Sequence, residues 1–258
     1  SQDNSNVWAN TESTKQNYHS DFYRPYKQSL TMTQIGVANN VNDNVRVGAV
    51  LSHSRANNTF AENVSGKNRL TALSTYVKGN WNNGVFASLD LGYGRSRNTI
   101  DFDDKNNVFH RSLFSAGVNA GIQWDWGVNV QPSIGVRYNR LSKANYHLAE
   151  AKVESKALNL MTYRAGLALS KTFDVAGVKL TPSLASYYND ATQRKMAVNG
   201  ALSVNNIGMQ QQFGRYFNHE AGLAAQFNQW QVSAQVGMLK GSDITTQKYA
   251  AFKLGYTW

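Results

Sequence analysis

The chain has 258 residues, with 26 Lys and Arg against 16 Asp and Glu for a net charge of +10, yet only 16% of its residues are charged. A soluble chain usually carries about a quarter. With 13 Tyr, 11 Phe and 6 Trp but only 3 Pro and no Cys, disorder, a disulfide scaffold and a thiolate metal site are excluded, and no run of about 18 apolar residues exists to form a membrane-spanning helix.

Read in order, the chain divides into about twelve predicted strands, starting near Val7, Leu30, Val45, Arg69, Val85, Ser112, Val128, Asn159, Val178, Phe213, Trp230 and Tyr249. Strict alternation identifies the long ones, because successive side chains of a strand point to opposite faces. Val85, Ala87, Leu89, Leu91 and Tyr93 share one face, as do Phe114, Ala116, Val118, Ala120, Ile122, Trp124 and Trp126. Val128, Val130, Pro132, Ile134, Val136 and Tyr138 do the same, followed by the rows that begin at Met161 and Val232. The strand near Arg69 fits two parities, with either Leu73, Val77 and Trp81 or Leu70, Ala72 and Tyr76 on the apolar face. A slip of one residue inverts every side chain.

The face opposite these apolar rows is Gly, Ser, Asn, Gln and Thr with an occasional Arg. A soluble sandwich would place Lys and Glu there. Small polar residues suit a crowded wet lumen, and apolar rows with aromatics near their ends suit lipid and its interfacial girdles. Connections alternate in length: 39–44 short, 56–68 long, 82–84 short, 97–110 long, 125–127 short, 142–157 long, 173–177 short, 190–211 long and 228–229 short. The fold expected is therefore all-β, a transmembrane antiparallel β-barrel of about twelve strands with short periplasmic turns and long extracellular loops. Both termini then lie on the periplasmic side of a Gram-negative outer membrane.

Parity sends Glu12, Arg46, Asp90, Arg137, Arg164, Lys179, Glu220 and Lys253 into the lumen, sparing the roughly 2 to 4 kcal/mol that Arg or Lys costs at mid-membrane on the lipid side. Two readings stand for these charges: pairs that stiffen a water-filled interior, or a wet wall along which a polypeptide slides without sticking. Twelve strands should leave room near the 10 Å width of one helix, too little for a folded domain. The last strand puts Phe252, Leu254, Tyr256 and Trp258 on one face and ends the chain on an aromatic. That is either an ordinary lipid-facing strand or the C-terminal signal read by the barrel-assembly machinery.

The ordered segments Val7-Trp8-Ala9-Asn10-Thr11, Gln34-Ile35-Gly36-Val37 and Gly48-Ala49-Val50-Leu51-Ser52-His53-Ser54-Arg55 carry a family resemblance. So do Phe213-Gly214-Arg215-Tyr216, Glu220-Ala221-Gly222-Leu223 and Lys253-Leu254-Gly255-Tyr256-Thr257-Trp258. Over essentially its whole length the chain resembles the C-terminal translocator domain of classical monomeric autotransporters of type V secretion, in particular the IgA-protease and adhesion-and-penetration group with a serine protease passenger. The resemblance implies a monomeric barrel threaded by a helical linker to an exported passenger, with the protease chemistry in the passenger. Residues 1–6 then read as a remnant of the linker and 7–258 as the barrel, a processed or recombinant piece of a longer precursor.

No catalytic residue, cofactor or metal ligand is expected in the chain itself. The sequence has no G-x-S-x-G elbow, H-E-x-x-H pair or P-loop. The alternative to a translocator is a small porin or a barrel hydrolase, for which His110 or His147 would work with Asp101 or Asp104. The basic pairs Lys15 with Arg24 and Lys27, Lys67 with Arg69, and Arg194 with Lys195 lack the aromatic companions of a nucleic-acid surface. Their expected partners are outer-membrane lipid and anionic lipopolysaccharide, or simply water.

Overall fold

A strand with one apolar and one polar face must bury its backbone polar groups against neighbours on both sides, and in lipid only a closed sheet does this for every strand. In a computed structural model that describes residues 5–20, 23–61, 64–102, 105–148, 151–155, 157–191, 214–242 and 244–258, twelve long strands form such a sheet. They are β1 (Ser5–Ser20), β2 (Tyr23–Asn40), β3 (Val45–Ala61), β4 (Val64–Asn80), β5 (Val85–Phe102) and β6 (Lys105–Ile122). The second half comprises β7 (Asn129–Leu141), β8 (Leu158–Ser170), β9 (Val178–Ala191), β10 (Gly214–Phe227), β11 (Trp230–Gly241) and β12 (Ile244–Thr257). Each pairs antiparallel with its neighbours in sequence, and β12 returns to β1 with Asn6 opposite Thr257 and Lys15 opposite Lys248. The seam ends where the Trp258 amide donates to the Ser5 carbonyl at 2.9 Å.

The outer face is apolar. Ile35, Leu51, Leu89, Val118, Ile134, Leu184 and Val236 all lie more than 45% exposed, a continuous surface far beyond what a soluble monomer shows water. Aromatic side chains bound it at both ends. Trp124 stacks on Trp126, and Trp230 meets Tyr256 edge-on, beside the short turns. Tyr93, the Phe114–Tyr138 pair and the Tyr188–Phe217 pair form the other girdle. From Phe114 to Trp124 is ten residues, which at about 3.3 Å each and a tilt of about 40° spans roughly 25 Å, the height of an outer-membrane apolar band.

The open parity of the fourth strand is resolved: Leu73 and Val77 are exposed, while Leu70, Ala72 and Tyr76 are buried inside. The strands that begin at Val45, Val85, Val178 and Trp230 start where the alternation places them. Four of the six that begin on the long-connection side start five to seven residues earlier, at Tyr23, Val64, Lys105 and Ile244 rather than Leu30, Arg69, Ser112 and Tyr249, while β8 starts one residue earlier than expected, at Leu158. Above the lipid both faces meet water, so the apolar period vanishes while backbone pairing continues. For the same reason much of 56–68 and 97–110 is paired strand, with Asn57 opposite Lys67 and Asp101 opposite Asn106. The connection after β7 folds into its own hairpin, Ala144–Leu148 against Ala151–Ser155. Most of the long connection 190–211 lies outside the described residues.

Candidate functional site: the barrel lumen

Inward positions alternate with the exposed apolar ones, so register decides which charges meet. Asp90 on β5 and Arg137 on β7 both lie opposite Gly117 on β6. The guanidinium reaches across that strand as a bidentate pair, with Nη1 donating to Oδ1 at 2.8 Å and Nη2 to Oδ2 at 2.7 Å. A third donation goes from Nη1 to the Ser115 hydroxyl at 2.8 Å. A Cβ at Gly117 would lie 2.4 Å from Nη2 and 2.8 Å from Asp90 Oδ2, so the ion pair exists because the intervening residue has no side chain. The same device recurs with aromatics: Trp8 lies over Gly36, and Tyr249 over Gly237.

Glu220 accepts from the Tyr249 hydroxyl at 2.6 Å and from the Asn218 amide at 3.2 Å. Glu12 is buried on the same side, within electrostatic reach of Glu220. Lys253 stands over the Trp8 ring at 4.6 Å, and Arg164 over the Tyr187 ring at 3.5 Å, both within cation–π range. Arg46 donates to Asn40 at 2.7 Å and to Asn6. Lys179 lies on the inward parity of β9 but exposed, next to the short turn that ends at Gly177. Lys78, opposite Arg46 in register, joins Arg46 and Lys253 as a third lumenal cation. Its strand fits either parity in the sequence, so its place in the lumen is not legible there. A polar ladder of Asn10, Gln34 and Ser52 links β1 to β3.

The expectation of a wet lumen fails in part. The lumen is not wet throughout: towards the long connections much of its wall is apolar, with Leu70, Ala72, Leu113 and Leu141 packed together and joined through Leu158 to Leu160 and Ala191, interrupted by the buried Ser54, Ser96 and Asn139. Leu30, Met32 and Ala56 form a neighbouring group. These leucines alternate with outward residues just as the lipid-facing ones do, and a count of apolar residues cannot tell a dry collar inside from a belt outside. Below the collar the wall is mixed: Trp8, Ala38, Val50 and Tyr76 form a buried apolar group on β1–β4, the lumenal charges gather around it, and a cavity of about 300 Å³ opens between Lys78, Phe86, Gln123, Gln131, Arg164 and Tyr187.

Of the pairs invoked for a hydrolase, His110 with Asp101 is not assembled. His110 points outward opposite Arg97, and Asp101 is opposite Asn106, four residues and roughly 13 Å further along the ladder. Asp104 and the side chain of His147 lie outside the described residues, as do the side chains of Lys15, Arg24 and Lys27 and both Arg194 and Lys195. The terminal aromatics face out: Phe252 and Trp258 are exposed, with Trp258 stacked on Tyr256.

The closed twelve-strand fold recurs in known proteins. The β domain of a Bordetella autotransporter, BrkA, superposes with a TM-score of 0.77 at 17% identity, covering 98% of both chains. The adhesion and penetration protein autotransporter of Haemophilus influenzae is 34% identical over 98% of this chain, and an immunoglobulin A1 protease autotransporter of the same species is 31% identical over 98%. The chain spans only 18% and 13% of the length of these two relatives. The model of the autotransporter β-domain family matches residues 7–237, and the chain belongs to that family.

Proposed function

We propose that this barrel is the outer-membrane translocator of a larger precursor: its lumen hosts or passes the linker while an N-terminal passenger reaches the cell surface. In this reading residues 7–258 are the translocator, both termini face the periplasm, and the passenger is a serine protease, so that any hydrolase activity belongs to the precursor. The observation that carries it is the closed ring of twelve antiparallel strands, whose number sets a lumen on the scale of one chain segment. Twelve strands spaced about 4.8 Å apart and tilted about 40° enclose roughly 24 Å between backbones, and inward side chains reduce this to about 12 Å, the diameter of one helix. The exposed aromatic row from Phe252 to Trp258 supports recognition by the barrel-assembly machinery.

Planar-bilayer recording of the purified chain tests this reading. Water leaves a narrow apolar constriction readily, so the leucine collar should hold the bare barrel at low conductance. Changing Leu113 and Leu141 together to Ser should raise conductance several-fold. A chain that remains monodisperse without detergent and never inserts would contradict the reading, and unchanged conductance in the double variant would contradict the collar.

A further inference from the structure

Above the upper aromatic girdle, one sector of the outer wall is unusually basic. Arg55 on β3 lies opposite Arg69 on β4, and Arg69 opposite Arg97 on β5, so three exposed arginines stand in one cross-strand row. Arg95 stands beside them, two residues above Tyr93 on β5, with Lys67 further out. Among the described residues none of the four arginines forms an ion pair; the one salt bridge, Arg137–Asp90, is inside the lumen. Arg55 has only a long bond of 3.4 Å to the His53 ring. Across the barrel, by contrast, the outward Arg215 lies opposite Asp190.

Like charges directly opposed across a ladder destabilise it, so this row costs the isolated barrel stability. Its height identifies the compensating ligand. Arg95 and Arg97 lie two and four residues beyond Tyr93, roughly 5 and 10 Å above the lipid boundary at the same tilt, where headgroups of the outer leaflet sit. Guanidinium forks match phosphate oxygens two at a time. Thr71, opposite Arg95, and the Ser112 hydroxyl that accepts from Tyr93 at 3.1 Å add neutral groups at the same level.

We propose that Arg55, Arg69, Arg95 and Arg97 form a binding site for the phosphates of a phosphorylated, multiply acylated lipid of the outer leaflet, lipopolysaccharide in kind, whose acyl chains lie on the apolar wall below. The proposal rests on the outer-membrane reading and adds to it a defined place on one sector of the barrel.

The test titrates the 258-residue chain, in nanodiscs of neutral phosphatidylcholine, with bis-phosphorylated lipid A, with its dephosphorylated form and with inorganic pyrophosphate. Changing Arg55, Arg69 and Arg97 together to Gln should weaken lipid A binding about a hundredfold, taking about tenfold for each charged hydrogen-bonding group lost with some non-additivity. Lys240→Gln on the far side should change it less than twofold. The melting temperature of the triple variant in neutral detergent should not fall, which separates lost binding from misfolding. Equal binding of lipid A to the chain and the triple variant, equal binding of the dephosphorylated lipid, or competition by pyrophosphate as strong as by lipid A would each overturn the proposal. Failure to insert into nanodiscs would overturn it along with the outer-membrane reading, whereas insertion without phosphate preference would overturn the site alone.

Discussion

Deletion of residues 252–258 is expected to abolish assembly, leaving no heat-modifiable, protease-resistant barrel in the membrane fraction. The lost residues pair on one side with β1, from Thr11 opposite Phe252 to Asn6 opposite Thr257, and on the other with the first residues of β11. Their removal opens the seam across the lower half of the barrel, and each backbone group left unpaired in lipid costs several kcal/mol. A milder variant separates closure from recognition. The Trp258 side chain is exposed and its amide holds the last bond of the seam, which any residue can make. Trp258→Ser should therefore refold in detergent like the parent but assemble poorly in cells. Equal assembly of the truncated chain, or of Trp258→Ser in cells, would refute the role given to the terminal strand.

The second large effect belongs to Asp90 and Arg137. Their side chains are 5% and 13% exposed, so removal of either leaves the other as an uncompensated buried charge, at a cost of about 3 to 5 kcal/mol. Asp90→Asn and Arg137→Gln should each lower the urea midpoint of the refolded barrel markedly. The double variant, with no charge left to strand, should recover most of the loss. Additive single effects would show that the pair does not act as a unit.

Strand number, the parity of the long strands other than β4, and the lipid-facing side were legible because lipid imposes a period of two on the apolar residues, and the rows from Leu89 to Tyr93 and from Val128 to Tyr138 display it unbroken. What lipid does not touch left weaker marks. The upper parts of β2, β4, β6 and β12 continue the backbone pairing beyond the apolar band, and backbone pairing has no compositional signature. Parity assigned eight charges to the lumen but not Lys78, and it assigned none of their partners: Asp90 meets Arg137 only because the register sets both opposite Gly117, and register is a long-range property. The collar of Leu70, Leu113, Leu141 and Leu160 was hidden for a different reason. A leucine facing a dry interior and one facing lipid read alike in sequence, and only the parity of the whole strand distinguishes them.

The most direct test of the translocator role uses two adjacent positions on β4. Ser74 is buried in the lumen at 1% exposure, and Leu73 faces outward at 57%. With a photo-crosslinking residue at one or the other position, in a precursor carrying a slowly exported passenger upstream of this chain, the lumenal route predicts adducts to the passenger from position 74 and none from position 73. Adducts from 73 alone, or from neither position while the passenger still reaches the surface, would contradict passage through this barrel.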